Sequence, residues 1–522
     1  MGNALDKAIT WFSPETGLRR ERARQRIADI QNSGYGNYGA ARHKKSLKGW
    51  KASGGSAVED IHDNLQTLRV RSRDLYMGVP VATGAVRTFR TNVVGSGLSP
   101  KPVIDHEAAG ITEEQAEALQ KKIAREFSLW ADSENCDAER MGSFYELQQL
   151  AFMNALFSGD CIAIPQMKRR DGWPYETCIL LVEADRLCNP NDPLDLSRDS
   201  KIVGGVEVDE GGEVVAYHIA KHHPLSMREY NGPNDWVRVP AYGEKTGRRN
   251  VILLMIRERI GQRRGVPILA PVIEALKQLG RYTDAELDAA VVGGMITYWI
   301  KQGEESEDRP FGEVEEPEEE KLYPEEKDEI KLSPGAIMDL APGEEVSVPM
   351  PGRPNSNFEG FVTSISRQIG AALELPYELV MKQFTASYSA SRGALLEAWK
   401  AFNERRDWMV EKFCQPIYEL WFTEAVALGR IDAPGFFMDP AIAKAYMRAE
   451  WYGPTQGQLD PTKEVQAAEA RVKAGFSTRA KEAMELTGTD FYDNMRTAKR
   501  ENELMKEAFG NEGETERIGS KQ

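Results

Sequence analysis

The side chains able to do chemistry in this 522-residue chain gather in one polar stretch. Between Tyr377 and Ser391 stand Lys382, Gln383, Thr385, Ser387, Tyr388 and Ser389: one ammonium, one amide and four hydroxyls within eight positions. Such groups donate and accept hydrogen bonds, but none is paired with a base that would make it a nucleophile. They suit weak, repeated contact with a polar surface better than bond making. Nothing else in the sequence assembles a reaction centre. There is no GxxxxGK[ST] phosphate loop, since Lys45-Ser46 and Lys245-Thr246 lack its glycines. There is no GxSxG elbow and no HExxH pair. His218, His222 and His223 lie close together, and alternate positions of a strand share a face. No carboxylate or cysteine completes a ligand motif with them, so hydrogen-bonded or exposed histidines are expected. Cys136, Cys161, Cys178, Cys188 and Cys414 are scattered without a CxxC pair, which predicts reduced, mostly buried thiols and no zinc site. No catalytic residue, metal or cofactor is expected, and the chain does not read as an enzyme.

Two helices must position the polar stretch. Ser356 and Glu359 have the spacing of a capping box. Phe358, Phe361, Val362, Ile365, Ile369 and Ala372 then recur on one helical face. Glu374-Leu375-Pro376 ends that helix, because proline disfavours a helical residue before it. Tyr377–Ser391 carries no sustained period and is expected to be irregular. A long helix resumes near Ser391, with Leu395, Trp399, Phe402, Met409, Phe413, Ile417, Leu420 and Trp421 on one side. Long structureless connections are uncommon and often functional.

The length requires several domains, and 41% hydrophobic with 28% charged residues is ordinary for folded protein. No apolar run reaches membrane-spanning length, and Met1–Phe12 lacks the apolar core of a signal peptide. The net charge is −15, and Gly303–Glu329 alone contributes −11 from fourteen acids and three bases, leaving about −4 elsewhere. A static DNA binder would carry excess Lys and Arg. A near-neutral or acidic wall would instead let a polyanion slide, since fixed cations strengthen holding through counterion release.

Along the chain, residues 1–58 read as an arm with a basic patch (Arg19, Arg20, Arg22, Arg24, Arg26, Arg42, Lys44, Lys45, Lys48) and a helical piece at Leu18–Ile30. The plainer reading is a solvated arm; the other is contact with nucleic acid or a neighbouring copy. Capped helices are predicted at Thr112–Trp130 and Ser143–Gly159. Strands follow at Cys161–Met167, Thr177–Glu183, Ile202–Val208 and Val214–Ala220, the last two joined through Gly211-Gly212. Asn250–Arg257 is a further strand, and Val266–Ile300 a long helix rich in small residues. Gln262, Arg263 and Arg264 form either a turn that anchors this helix or an ion pair to a second copy. Gly303–Glu329, with Glu313, Glu315, Glu316, Glu318, Glu319 and Glu320 at its centre, is expected to be solvated. Short strands are predicted at Ile330–Leu332, Ala336–Leu340 and Val346–Met350, and a connector at Ile431–Trp451. Helices capped by Asp460, Ser477 and Asp490 close the chain.

Three separate stretches carry a resemblance: ISRQIGAALELPYELVMKQFTASYSASRGALLEAW (Ile365–Trp399), RERIGQRRGVPILAPVIEALKQLGRYTDAELDAA (Arg257–Ala290) and DPTKEVQAAEARVKAGFSTRAKEAMELTGTDF (Asp460–Phe491). Their order and spacing resemble those of lambda-type bacteriophage portal proteins, over most of the chain from about Arg69 to Phe491. Arg71, Ser72, Arg73, Asp74 and Leu75 match the family's opening segment and are expected to form structural salt bridges. Ser387-Tyr388-Ser389-Ala390-Ser391-Arg392 is similar to the Tyr-Ser-Ser-x-Arg pattern near the family's tunnel loop.

The resemblance implies a mainly α, α+β portal fold. Its parts would be a wing (59–264), a first stem helix (265–301), a small β-containing clip with the acidic run (302–352), a second stem helix (353–374), a tunnel loop (375–391), a long helix returning to the wing (392–455), a helical crown (456–510) and a tail (511–522). It implies a homo-oligomeric ring, typically of twelve, at one vertex of a tailed-phage capsid. Double-stranded DNA would be packaged and ejected through it, and it would initiate head assembly in the host cytoplasm. Terminase large subunit, head–tail connector proteins, and major capsid and scaffold proteins would be its partners, with no membrane. Lys382 would be the main phosphate contact, and Arg392 would brace a neighbouring loop. A nuclease or ATPase of the packaging machinery and a head–tail adaptor stay open as other classes. Magnesium- or nucleotide-dependent turnover would mark the first; the second would leave the paired stem helices unexplained.

Overall fold

A computed structural model describes residues 54–192, 201–226, 228, 235–295, 298–300, 337–339, 357–384, 387–457 and 461–509, with 11, 13–16, 18–20, 22–23 and 45–47 of the arm. The chain divides into two compact units, 1–56 and 57–522. In the first, helical pieces at 14–16, 18–20 and 22–23 overlap the start of the expected Arg-rich helix. The rest of the basic arm lies outside the described residues.

The second unit opens with a π-helical turn at Val58–His62, then α1 (Asp63–Gly78) and α2 (Pro80–Val93). Val79 is extended (φ −111°, ψ 112°) because it precedes Pro80, which suits the first turn of α2. After β1 (Ser99–Pro102) come α3 (Glu113–Ala131) and α4 (Phe144–Ser158). Both predicted capping boxes form: the Thr112 hydroxyl accepts from Gln115 N–H at 3.2 Å, and the Ser143 hydroxyl from Glu146 N–H at 3.4 Å. In each, the acidic or amide side chain reaches back to the cap's own N–H.

Two antiparallel sheets follow. One has the order β3 (Thr177–Val182), β2 (Asp160–Met167), β8 (Ile252–Met255). The other runs β4 (Ile202–Val203), β5 (Val206–Val208), β6 (Val214–Ala220), β7 (Trp236–Pro240). The single strand expected at Ile202–Val208 is therefore two. Gly204 and Gly205 are both left-handed (φ 57° and 78°) and fold the chain back on itself. A Cβ on Gly205 would lie 2.6 Å from the Cys188 nitrogen, so only glycine fits the corner.

The predicted helix Val266–Ile300 is shorter at both ends. A 3-10 turn at Ala270–Val272 leads into α5 (Ile273–Met295), because Pro267 and Pro271 lack the N–H a helix interior needs. Beyond Met295 the chain turns to strand: β9 (Tyr298–Ile300) pairs in parallel with β10 (Ile337–Asp339). Thr297, Tyr298, Trp299 and Ile300 are β-branched or aromatic and favour this. β10 falls within the expected strand Ala336–Leu340. The acidic run and the strands expected at 330–332 and 346–350 lie outside the described residues.

α6 (Phe358–Ala372) starts with Asn357 at the cap position and no side-chain cap bond. Ser356, the expected cap, lies outside the described residues. α7 (Tyr377–Met381) occupies ground read as irregular. α8 (Tyr388–Met409), a π-helical turn (Val410–Cys414) and α9 (Gln415–Ala427) make one continuous rod. Pro416 sits in the first turn of α9 and supplies no N–H, and the widened turn before it absorbs the missing bond. Trp399, Phe402, Met409, Phe413, Ile417 and Trp421 are buried on this rod, as their spacing predicts, while Leu395 and Leu420 are half-buried.

The expected connector Ile431–Trp451 contains α10 (Pro440–Tyr446) and leads into β11 (Ala449–Tyr452), which pairs with β1. α11 (Pro461–Lys473), α12 (Arg479–Thr487) and α13 (Phe491–Phe509) complete the described chain. Thr478, one residue later than expected, caps α12, and Asp490 caps α13.

The main core packs α3, α4 and α9 around rings of Phe127, Trp130, Phe144, Phe413, Tyr418 and Trp421. A smaller core of Ile162, Val182, Leu187, Val206, Ile219 and Val251 joins the two sheets. All five cysteines are free and buried. Among the described residues no helix is long and apolar enough to cross a membrane.

Candidate functional site

The polar stretch sits on a structured base. At the end of α6 the Leu375 N–H reaches back to the Gly370 carbonyl at 2.9 Å, and Glu374 takes a left-handed turn (φ 57°). Leu373, Leu375 and Val380 are buried. The Arg367 guanidinium lies 5.5 Å from the Tyr377 ring centre. α7 ends at Lys382, also left-handed (φ 54°), and the Gln383 N–H donates to the Glu378 carbonyl at 3.1 Å. The irregular stretch is therefore residues 382–387, not Tyr377–Ser391. A five-residue helix is too short to announce itself through periodicity.

Lys382, Gln383, Phe384, Ser387 and Ser389 are exposed. Thr385 lies outside the described residues. Tyr388 opens α8, with Ser387 before it making no side-chain cap bond. Arg392, in the first turns of α8, approaches Glu464 of α11 at 3.9 Å within the same chain.

Gln262 and Arg264 are corrected most sharply. An ion pair to a second copy needs surface, and these side chains are only 4% and 2% exposed. Gln262 accepts from the N–H groups of Glu258 and Arg259 at 2.9 and 3.2 Å and donates to the Ile256 and Arg264 carbonyls at 3.2 and 2.8 Å. It closes the turn by itself. Arg264 grips Asp160 with two bonds of 2.7 and 2.9 Å, and donates to the carbonyls of Ala184 (2.6 Å), Gly204 (2.7 Å) and Leu187. Arg263 is half-buried and donates to the Lys201 carbonyl at 3.4 Å. The reading of this segment as the anchor of the following helix holds.

Asp160 and Arg69 were not singled out by the sequence, yet they complete this knot. Asp160 also accepts from Arg69 at 2.9 Å and from the Gly265 N–H at 3.0 Å. Two backbones cross here: a Cβ on Gly265 would stand 1.8 Å from the Gly159 carbonyl oxygen. Burial acts to raise the Asp160 carboxyl, but the Arg264 and Arg69 guanidiniums outweigh it and hold the group below its usual range. Burial and the Arg264 charge lower Arg69 to about 10. Burial, then Arg264 and Arg69, lower the neighbouring His62 to about 4. The only sequence signal was an aspartate opening an otherwise apolar strand.

The opening segment forms the salt bridges expected of it. Arg73 pairs with Asp185 and lies 3.8 Å from Glu183, and Lys277 lies 3.9 Å from Asp74. Of the three histidines, His218 bonds Glu207 at 2.8 Å. Arg238, bonded to that carboxylate at 2.8 and 2.9 Å, lowers Glu207 to about 2. His223 brings a ring nitrogen near Glu183 and Asp185, all within 4.8 Å. Arg73 already supplies the cation for those carboxylates, so they do not fit a metal. Glu313, Glu315, Glu316, Glu318, Glu319 and Glu320 lie outside the described residues.

The arrangement is thus an exposed polar crest on a packed helical base, beside a buried ionic knot. Portal protein B of Escherichia phage lambda is 24% identical to this chain over 468 residues, covering 86% of this chain and 85% of the relative. The portal protein of Escherichia phage N15 is also 24% identical over 468 residues, covering 86% of each. A chain from the neck of an empty gene transfer agent particle aligns with a TM-score of 0.39 at 15% identity, covering 81% of this chain and 93% of that one. The family model for phage portal proteins of the lambda family matches residues 43–406, more than half of the sequence, and the chain therefore belongs to that family.

Proposed function

We propose that copies of this protein stand side by side in a ring of about twelve at one capsid vertex, forming the channel through which double-stranded DNA is packaged and ejected. Family membership supports this reading. The observation that carries it is the unit of α6, α7, residues 382–387 and α8: two amphipathic helices bracket a short exposed segment with one lysine and several hydroxyls. Facing the opening, that segment meets phosphates without reading bases. α5 and α6 form the stem walls, with Tyr282 of α5 packed on Phe358 and Phe361 of α6 at ring distances of 5.6 and 4.6 Å. The sheets form the wing, and α11 to α13 the crown.

The residues around β9 and β10, with the acidic run between them, form the clip. It docks the terminase large subunit during packaging and head–tail connector proteins afterwards. Major capsid and scaffold proteins surround the ring as the head begins to assemble, and the ring remains in the virion. Its role is mechanical support and gating, and the energy comes from the partner motor. An end-on electron micrograph of the purified chain tests this: a ring with a central hole is expected. A solitary globule at high protein concentration, or nucleotide turnover by the chain alone, would overturn it.

A further inference from the structure

We propose that Arg405 is the positioning residue of the polar crest, fixing α7 as a rigid foot so that movement is confined to residues 382–387. The proposal rests on the reading of that crest as the inner rim of the channel.

Four non-glycine residues among those described have a left-handed backbone, and two of them, Glu374 and Lys382, stand at the two ends of α7. Side chains other than glycine resist this conformation. It persists only where the surroundings over-determine it, and such corners collect at functional sites. The two corners are held very differently.

The Glu374 corner is locked. Its carboxylate lies 2.7 Å from Arg405 on α8. The same guanidinium stands 4.6 Å from the Phe89 ring centre on α2, in the range for a cation on an aromatic face. Arg405 is 13% exposed against 58% for Glu374, so the arginine is the fixed member and the glutamate is held to it. One side chain thus joins α8 and α2 to the corner where the chain leaves α6. Buried Leu375 and Val380 seat α7 behind it.

The Lys382 corner is held by its backbone alone, through the bond from the Gln383 N–H to the Glu378 carbonyl. Lys382, Gln383 and Phe384 beyond it are exposed. A crest that bends only past Lys382 can follow a moving polymer without disturbing the stem. A crest free from Glu374 onward would swing a longer arm with less control of where Lys382 points.

The test uses full-length rings and hydrogen–deuterium exchange of the peptide spanning Leu373–Phe384, with packaged DNA per head as a second readout. Arg405→Met removes the charge and keeps a stem to pack on Phe89. Arg405→Lys keeps the charge. Glu374→Gly removes the ion pair but relaxes the left-handed corner, which separates positioning from mere stability. Expected are at least tenfold faster exchange in Arg405→Met and Glu374→Gly, near wild-type exchange in Arg405→Lys, and a thermal midpoint for Glu374→Gly no lower than wild type. Packaged DNA falls in both fast-exchanging variants.

Unchanged exchange overturns the proposal. So does faster exchange in Glu374→Gly accompanied by a matching fall in thermal midpoint, which would make the pair a plain brace. Faster exchange with normal packaging in intact rings would instead overturn the channel-rim reading on which the proposal rests.

Discussion

At the scale of single residues, the knot of Arg69, Asp160 and Arg264 sets the strongest constraint. Two guanidiniums share one carboxylate, and all three side chains are 6% exposed or less. Removing a buried charge costs more than its hydrogen bonds, because its partners stay behind uncompensated. Asp160→Asn is therefore expected to destabilise the chain by about 3–5 kcal/mol, read as a lowered urea midpoint. His62 adds a pH dependence. Its folded pKa, about 4, is depressed from 6.5, so its contribution is complete above 6.5 and is lost as pH falls toward 4. The midpoint should drop through that window by on the order of 2 kcal/mol, and His62→Gln should flatten the drop. Asp160 is also depressed, and its share is lost only below the ordinary carboxylate range. The knot was not legible in the sequence: Asp160 is 91 positions from Arg69 and 104 from Arg264, and no local pattern encodes such a meeting.

At the scale of elements, reading succeeded where the signal is local. The capping boxes of α3 and α4, the buried stripe of the α8–α9 rod and the hairpin before β6 all formed where residue types placed them. It failed where an element is shorter than its own period, as at α7, or where proline and β-branched residues trimmed a helix, as at both ends of α5. The correction narrows the crest to residues 382–387 and leaves Lys382 as its leading cation. Lys382→Ala should change the length of DNA packaged while leaving ring assembly and thermal midpoint as in wild type. No change in packaged length would remove the lysine from DNA contact without touching the fold.

At the scale of the whole molecule, charge is unevenly placed, with −11 of the net −15 carried by Gly303–Glu329. Exposed charge acts over about a Debye length, ~10 Å at 0.1 M salt. Deleting Glu313–Glu326 should weaken docking of a basic motor surface at low salt and leave it unchanged at high salt, measured with purified motor. Equal docking at both salts would assign the run no part in recognition. The C-terminal helices pose a related question of surface: Tyr492, Met495, Leu504 and Met505 of α13 are 53–62% exposed in the single chain.

The short parallel pairing of β9 with β10 has one more consequence. It sets Tyr298 beside Ile337 and Ile300 beside Asp339, so the chain leaves and re-enters the body at neighbouring points. Whatever lies between is tethered like a bead on a clasp, and doubling its length costs only about 0.6 kcal/mol in closure entropy. Evolution can lengthen, shorten or recharge that excursion to suit a new motor or tail while the rods and sheets beneath keep their sequence.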